Sequence, residues 1–550
     1  MPRSFRRQFP LLALTLFFGC QGAIGETGPE GSILPPVEGE AGDPTGVAGI
    51  RRLSPIEVRS TVRDLLSELG VTADETLSAP PLADVDTHHQ FSNARESGNL
   101  TFQQVRDLMN WAEAISVAAT EDTDALLGCS PSTDFDECAR TFSEALGRLA
   151  FRRPTDVDDM GRFETAFVAV TAEGEPRDGV RALIELALLA PEFWYLSAAV
   201  DETGRLDPHA IASQLSYGLW GTMPDATLRE RAEGGFLSDA TNVRAEAERM
   251  LDDPRAGQTV RRFHREWLDL ATVSELDKDP AIYPDFSVET AVDLGTEYDA
   301  FVERSVLEDA GIGELFSSRQ AYVNARLERL YGLTPESNGN DDWHWRELGP
   351  ERAGVLTRPL FLASTAGRGE SALILRGVAV IEHLLCTVLI APANATEESV
   401  EIPVGATSGK LAGVENRASK AGCRSCHNTI DPIGVAFEVY DAVGAFREEY
   451  PDTIAIEQAG TLPASGFLAE TIDYANAAEL NVGLSQAVDV QECYASKWME
   501  HLTGQTPNAA QRFELGRIAS TPDISIRELI VEVLVSPMFL ERLPEMEESP

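Results

Sequence analysis

Residues 54–70 read Ser-Pro-Ile-Glu-Val-Arg-Ser-Thr-Val-Arg-Asp-Leu-Leu-Ser-Glu-Leu-Gly. Ser54 followed three residues later by Glu57 is a capping box, and Pro55 sits where a helix tolerates proline. Ile56, Val62, Leu65, Leu66 and Leu69 then fall on one helical face, and Gly70 provides the stop. The same grammar recurs along the chain. Helices are expected over 102–117, 138–150, 179–190, 207–220, 239–251 and 254–270, then 298–307 and 324–331. Strand signals are few, the best lying at 450–468 with Gly460 and Gly466 as turn points. The fold class expected is mainly α: several helical modules in series, with a small β-hairpin element near the C-terminal third. A low-periodicity loop is expected at 391–421.

The chain has 550 residues, with 45 Lys+Arg against 89 Asp+Glu and a formal net charge of −44. That length is enough for three or four domains of about 150 residues each. A hydrophobic content of 43% argues for globular folding rather than disorder. An acidic excess this large excludes a phosphate-tracking surface, so no nucleic-acid partner is expected. It also disfavours docking on anionic lipid by charge alone. On a redox protein the same charge would favour a basic partner.

The N-terminus carries Arg3, Arg6 and Arg7, then an apolar run from Phe9 to Phe18 that is too short to span a bilayer. It reads as a signal peptide. Gly19-Cys20 resembles the end of a bacterial lipobox, which implies lipidation of Cys20, although Phe17 and Phe18 are bulkier than usual. Ordinary cleavage near Gly22-Ala23 is the alternative. The module plan that follows is a signal peptide at 1–20, a tether at 21–49, and helical modules at 50–128, 129–200 and 201–340. A C-x-x-C-H module at 345–450 and a C-terminal helical module at 451–550 complete it. The protein is expected at the bacterial cell envelope, held to the membrane through a lipid anchor only.

Six cysteines remain beyond Cys20. An even number in an exported chain favours pairing. Cys129 and Cys138 bracket a short loop and are expected to form a local disulfide. Cys386 and Cys493 are left to pair across modules.

Cys423-Arg424-Ser425-Cys426-His427 is the sharpest motif, the attachment signature of haem c. The spacing offers two thiols to the haem vinyl groups while His427 reaches the iron as proximal ligand. A plain Cys423–Cys426 disulfide and a zinc site are the alternatives; zinc would need two further ligands. Met499 or His501, on an expected helix at 493–502, are the distal candidates, with Met538 and His383 behind them. Asp431-Pro432 reads as the N-cap and first residue of a helix carrying Phe437, Val439 and Tyr440. Asp84, Asp86, His88 and His89 read as a solvated loop, and His264 as a surface or core-edge histidine. Gly405 to Lys410 falls short of a P-loop.

The stretch from Cys423 to Arg447 resembles the C-terminal half of a family of secreted proteins from planctomycetes and myxobacteria. These are built from serial domains of unknown function and associated with planctomycete-type cytochrome c. Arg51-Arg52-Leu53 and Thr61 to Leu66 are similar to its opening module, and Ala150-Phe151-Arg152-Arg153-Pro154 to its second. Leu215 to Trp220, Met250 to Ala256, and Phe263 with Trp267 resemble the third. Gly354 to Thr357 and Arg376-Gly377 precede the C-x-x-C-H as in the family; Ile430 stands where the family favours Met. The function implied is a cell-envelope lipoprotein with covalent haem, acting in electron transfer or an oxidoreductase system. The alternative is a disulfide-braced surface scaffold or binding lipoprotein without haem.

Overall fold

The computed structural model describes residues 45–47, 50–72, 75–82, 91–94, 100–389, 413–415, 417–451 and 454–543. The signal peptide, Cys20, most of the tether, Asp84, Asp86, His88, His89 and the stretch Gly405 to Lys410 lie outside them.

The described residues form one compact unit, mainly helical. Short strands occur only as two-stranded pairs among the described residues. Gly46–Val47 runs parallel to Arg542–Leu543, joining the two ends of the folded body. Arg51–Arg52 pairs antiparallel with Tyr195–Leu196, and Gln320–Val323 with His344–Glu347. The C-terminal hairpin pairs Gly460–Leu462 with Ile472–Tyr474. It therefore turns later than the 450–468 expected from its glycines.

The helix Pro55–Glu68 is capped as its sequence predicts, with Ser54 and Glu57 exchanging hydrogen bonds. Its buried face is Val58, Val62, Leu65 and Leu66, whereas Ile56 is exposed. The shift has a polar cause. Glu57 is fully buried because Arg51 grips it with both terminal nitrogens, at 2.8 and 2.9 Å. Burial of a carboxylate is tolerable only when it is paired in this way.

Two apolar cores divide the body. The first joins Pro55–Glu68, Phe102–Ala119, Glu137–Phe151, Val157–Thr171 and Pro176–Leu189, and it also takes in Tyr217 and Met223. The second takes in Phe91 and runs from Leu206 to Leu540, including the remaining long helices. The sequence boundaries at 129 and 345 do not divide these cores, and each core serves more than one module.

Several quoted sequence stretches are the seams between elements. Tyr217 bonds the Thr61 hydroxyl at 2.8 Å, linking the third stretch to the first. Arg152 adopts a left-handed backbone (φ 59°) and donates to the carbonyls of Ala150 and Phe193 at 3.1 Å each. Buried Arg376 donates to the carbonyls of Phe437, Tyr440 and Asp441 at 2.6–2.7 Å. Burial pulls its pKa down to about 10, so it stays a cation at neutral pH. Such a clamp supplies the hydrogen bonds that a buried irregular backbone lacks.

His264 is fully buried, not at a surface or core edge. Its Nδ1 lies 2.8 Å from the Val260 carbonyl and its Nε2 lies 3.0 Å from the Tyr494 hydroxyl. The carbonyl can only accept, so Nδ1 carries the proton and Nε2 accepts from Tyr494.

Candidate functional site: the Cys423–His427 helix

The C-x-x-C-H motif lies in the helix Ala421–Ala436. Positions i, i+3 and i+4 share one side of a helix, so Cys423, Cys426 and His427 span an arc of roughly 100°. Cys423 is half-buried, Cys426 is exposed, and both are thiols rather than disulfide partners. The His427 side chain keeps a fifth of its surface open.

His427 Nδ1 lies 2.9 Å from Asp431 Oδ1, one helical turn on. Asp431 is buried and also receives Arg417 through Nε at 3.0 Å and Nη2 at 3.1 Å. The carboxylate thus fixes the imidazole by one nitrogen and leaves Nε2 as the outward ligand atom. A carboxylate on the far nitrogen is the usual support for a metal-binding histidine. The donor set present, two accessible thiols and one oriented imidazole, fits covalent haem.

This arrangement corrects the expected helix start at Asp431-Pro432. The helix begins at Ala421, its interior contains Pro432, and Phe437–Val439 is a tight 3-10 turn. The Asp431 carboxylate is taken by His427 and Arg417, so it does not act as a cap. Packing overrides the proline. Gly377 and Gly434 bring this helix and Leu373–Leu384 into backbone contact, because a Cβ on either would stand 2.2 Å from the carbonyl of Ile430 or Leu373. Ile430 is part of that crossing and is buried. Phe437, Val439 and Tyr440 are buried too, with the Arg352 guanidinium 4.5 Å from the Tyr440 ring centre.

Met499 and His501 lie on Val488–Thr503 and are buried. Met499 faces a small cavity with Met538 and Arg542. His501 packs edge-on against Phe91, Phe263 and Trp498. Burial, with Arg262 and Arg51 nearby, pushes its pKa well below the ordinary histidine value. His383 is buried on Leu373–Leu384, and its carbonyl accepts from Trp267 Nε1 at 2.8 Å. Among the described residues no group of three or more His, Cys, Asp or Glu side chains is placed to hold a metal ion.

Both expected disulfides are present. Cys129–Cys138 closes a local loop, and Cys386–Cys493 ties the end of Leu373–Leu384 to Val488–Thr503. Sequence reasoning missed the Asp431 and Arg417 roles. The i, i+4 spacing from His427 to Asp431 was the available signal.

Three family models match in series. Residues 138–197 match PSD5, protein of unknown function (DUF1595). Residues 206–333 match PSD4, protein of unknown function (DUF1592), and residues 352–450 match PSCyt3, protein of unknown function (DUF1588). The chain belongs to this multi-module family. Its PSCyt3 module contains the whole C-x-x-C-H helix, the Arg376 clamp and the Gly377 crossing, and the name marks an association with planctomycete-type cytochrome c. The PSD5 and PSD4 matches fall inside the 129–200 and 201–340 modules read from sequence. No curated protein and no solved structure matches the chain. Among the described residues no helix is long and apolar enough to cross a membrane.

Proposed function

We propose that this protein is a c-type cytochrome of the bacterial cell envelope, exported and lipid-anchored at Cys20, that passes electrons or serves an oxidoreductase system. The observation that carries the reading is the His427–Asp431 contact beside two thiols on one helical face. Cys423 and Cys426 would hold haem through thioethers, and His427 Nε2 would be the proximal ligand. Haem bound there supplies a one-electron couple. The chain's own contribution is orientation: Arg417 and Asp431 fix the imidazole, and the crossing at Gly377 and Gly434 fixes the helix that carries it. The chain's charge of −44 favours a basic redox partner, with association slowing as salt rises.

The test is expression in a host able to mature c-type cytochromes. A Soret band that survives acid extraction, and a mass raised by one haem, are the expected results. A colourless protein at the mass of the processed chain alone would favour the scaffold reading, in which the two disulfides brace a binding module.

A further inference from the structure

Tyr494 and His264 meet inside the second core, and the haem chemistry proposed above uses neither. Both are fully buried. The Tyr494 hydroxyl donates to His264 Nε2 at 3.0 Å, since Nδ1 is committed to the Val260 carbonyl at 2.8 Å. The two side chains come from Arg255–Trp267 and Val488–Thr503. The Cys386–Cys493 bond anchors the second of these helices one residue before Tyr494.

The acceptor sets this phenol apart. Tyr298, Tyr440 and Tyr474 donate to the backbone carbonyls of His264, Glu351 and Pro432. A carbonyl supports a hydrogen bond but does not take the proton, whereas an imidazole does. Burial holds the His264 pKa down at about 4 and pushes that of Tyr494 up, so at neutral pH the pair rests as neutral phenol and neutral imidazole. A phenol that has lost an electron is a far stronger acid than an imidazolium, even one weakened by burial. Its proton then has a path to Nε2 along the bond already made.

The surrounding rings supply a path for the electron. The Trp267 ring centre lies 5.0 Å from that of Tyr494, and Phe263, 6.0 Å away, stacks on Trp498 at 3.7 Å. Trp267 also lines a small cavity of about 60 Å³ with Phe91, Cys386 and the exposed Val388. Electrons tunnel across gaps of this size, so an oxidant need not touch the buried phenol.

We infer that Tyr494 and His264 form a proton-coupled redox pair: a strong one-electron oxidant takes an electron from Tyr494 while the phenolic proton moves to His264 Nε2. The products are a neutral tyrosyl radical, an imidazolium and the oxidant reduced by one electron. A one-electron reductant reverses the step, and the proton returns along the same hydrogen bond. The pair thus stores one oxidising equivalent inside the fold. It lies off the Cys423–His427 helix and does not rest on the haem reading.

Flash illumination of the whole protein with tris(bipyridine)ruthenium(II) and an irreversible cobalt(III) acceptor tests the assignment, after ferricyanide treatment so that no ferrous iron competes. Electron paramagnetic resonance of frozen samples identifies the radical, and transient absorption follows its formation. A neutral tyrosyl radical is expected, and it should be lost in Tyr494→Phe. His264→Gln keeps an acceptor without a base, and it should slow formation about a hundredfold, the lower end of what a positioned base contributes. Absence of a tyrosyl radical in the wild-type protein overturns the proposal. So does an undiminished radical in Tyr494→Phe, or an unchanged rate in His264→Gln, in variants shown to be folded by circular dichroism. A colourless preparation would count against the haem reading and leave this test intact.

Discussion

The Asp431 carboxylate lies 2.9 Å from His427 Nδ1 and is itself held by Arg417. An acceptor there makes the imidazole a stronger electron donor through Nε2, which favours the ferric state of a haem iron. Asp431→Asn should therefore raise the midpoint potential of the haem-loaded protein. A shift on the order of 60 mV corresponds to a tenfold change for a one-electron couple. Potentiometric titration of wild type and variant measures it, and an unchanged or lowered potential contradicts the argument.

Acid should weaken the fold through His264. Burial pushes its pKa from 6.5 to about 4, while the unfolded chain keeps the ordinary value. Below pH 6.5 the unfolded state takes up a proton that the folded state refuses, so stability falls as pH drops. The loss levels off near pH 4, and at full extent it amounts to about 3 kcal/mol. Urea midpoints measured between pH 7 and 4 should decline less steeply for His264→Phe. Parallel profiles would assign the acid sensitivity to other groups.

The two disulfides should differ in worth. Cys386–Cys493 has a sequence separation of 107 and Cys129–Cys138 one of 9. Loop-closure entropy gives about 5 kcal/mol for the first and about 2.5 for the second. Chemical denaturation of the paired Cys→Ala variants checks the order. Equal losses would mean that the denatured chain is already compact around the longer loop.

Gly377 and Gly434 admit no side chain without moving backbone. Gly377→Ala or Gly434→Ala should cost about 1–3 kcal/mol through overpacking. The measurement is the thermal midpoint of each variant, and a change of less than a degree in both would show that the crossing has slack.

Much of the fold was legible because it is written locally. The Ser54–Glu57 capping box announces its helix, and the expected helices at 138–150, 207–220 and 239–251 are present within a few residues. What escaped was set by packing at a distance. Leu373–Leu384 is apolar on nearly every side, so it offers no period to read. Ala421–Ala436 contains a proline and is held by two glycine contacts made across the chain. The helix Val288–Leu307 begins ten residues before its expected start, at a Ser287–Thr290 box that was overlooked. The C-x-x-C-H motif was plain from spacing alone. The packing of Met499 and His501 was not, because it depends on which face of Val488–Thr503 meets Phe263 and Met538.

The Cys386–Cys493 bond also determines what a cut in the chain would do. Every residue from 387 to 492 lies within the ring it closes, including the Cys423–His427 helix and the hairpin at 460–474. A protease that nicks this span once opens the ring without releasing a fragment. The two pieces stay joined until a reductant separates them, so a nicked molecule would run as one species without reductant and as two with it.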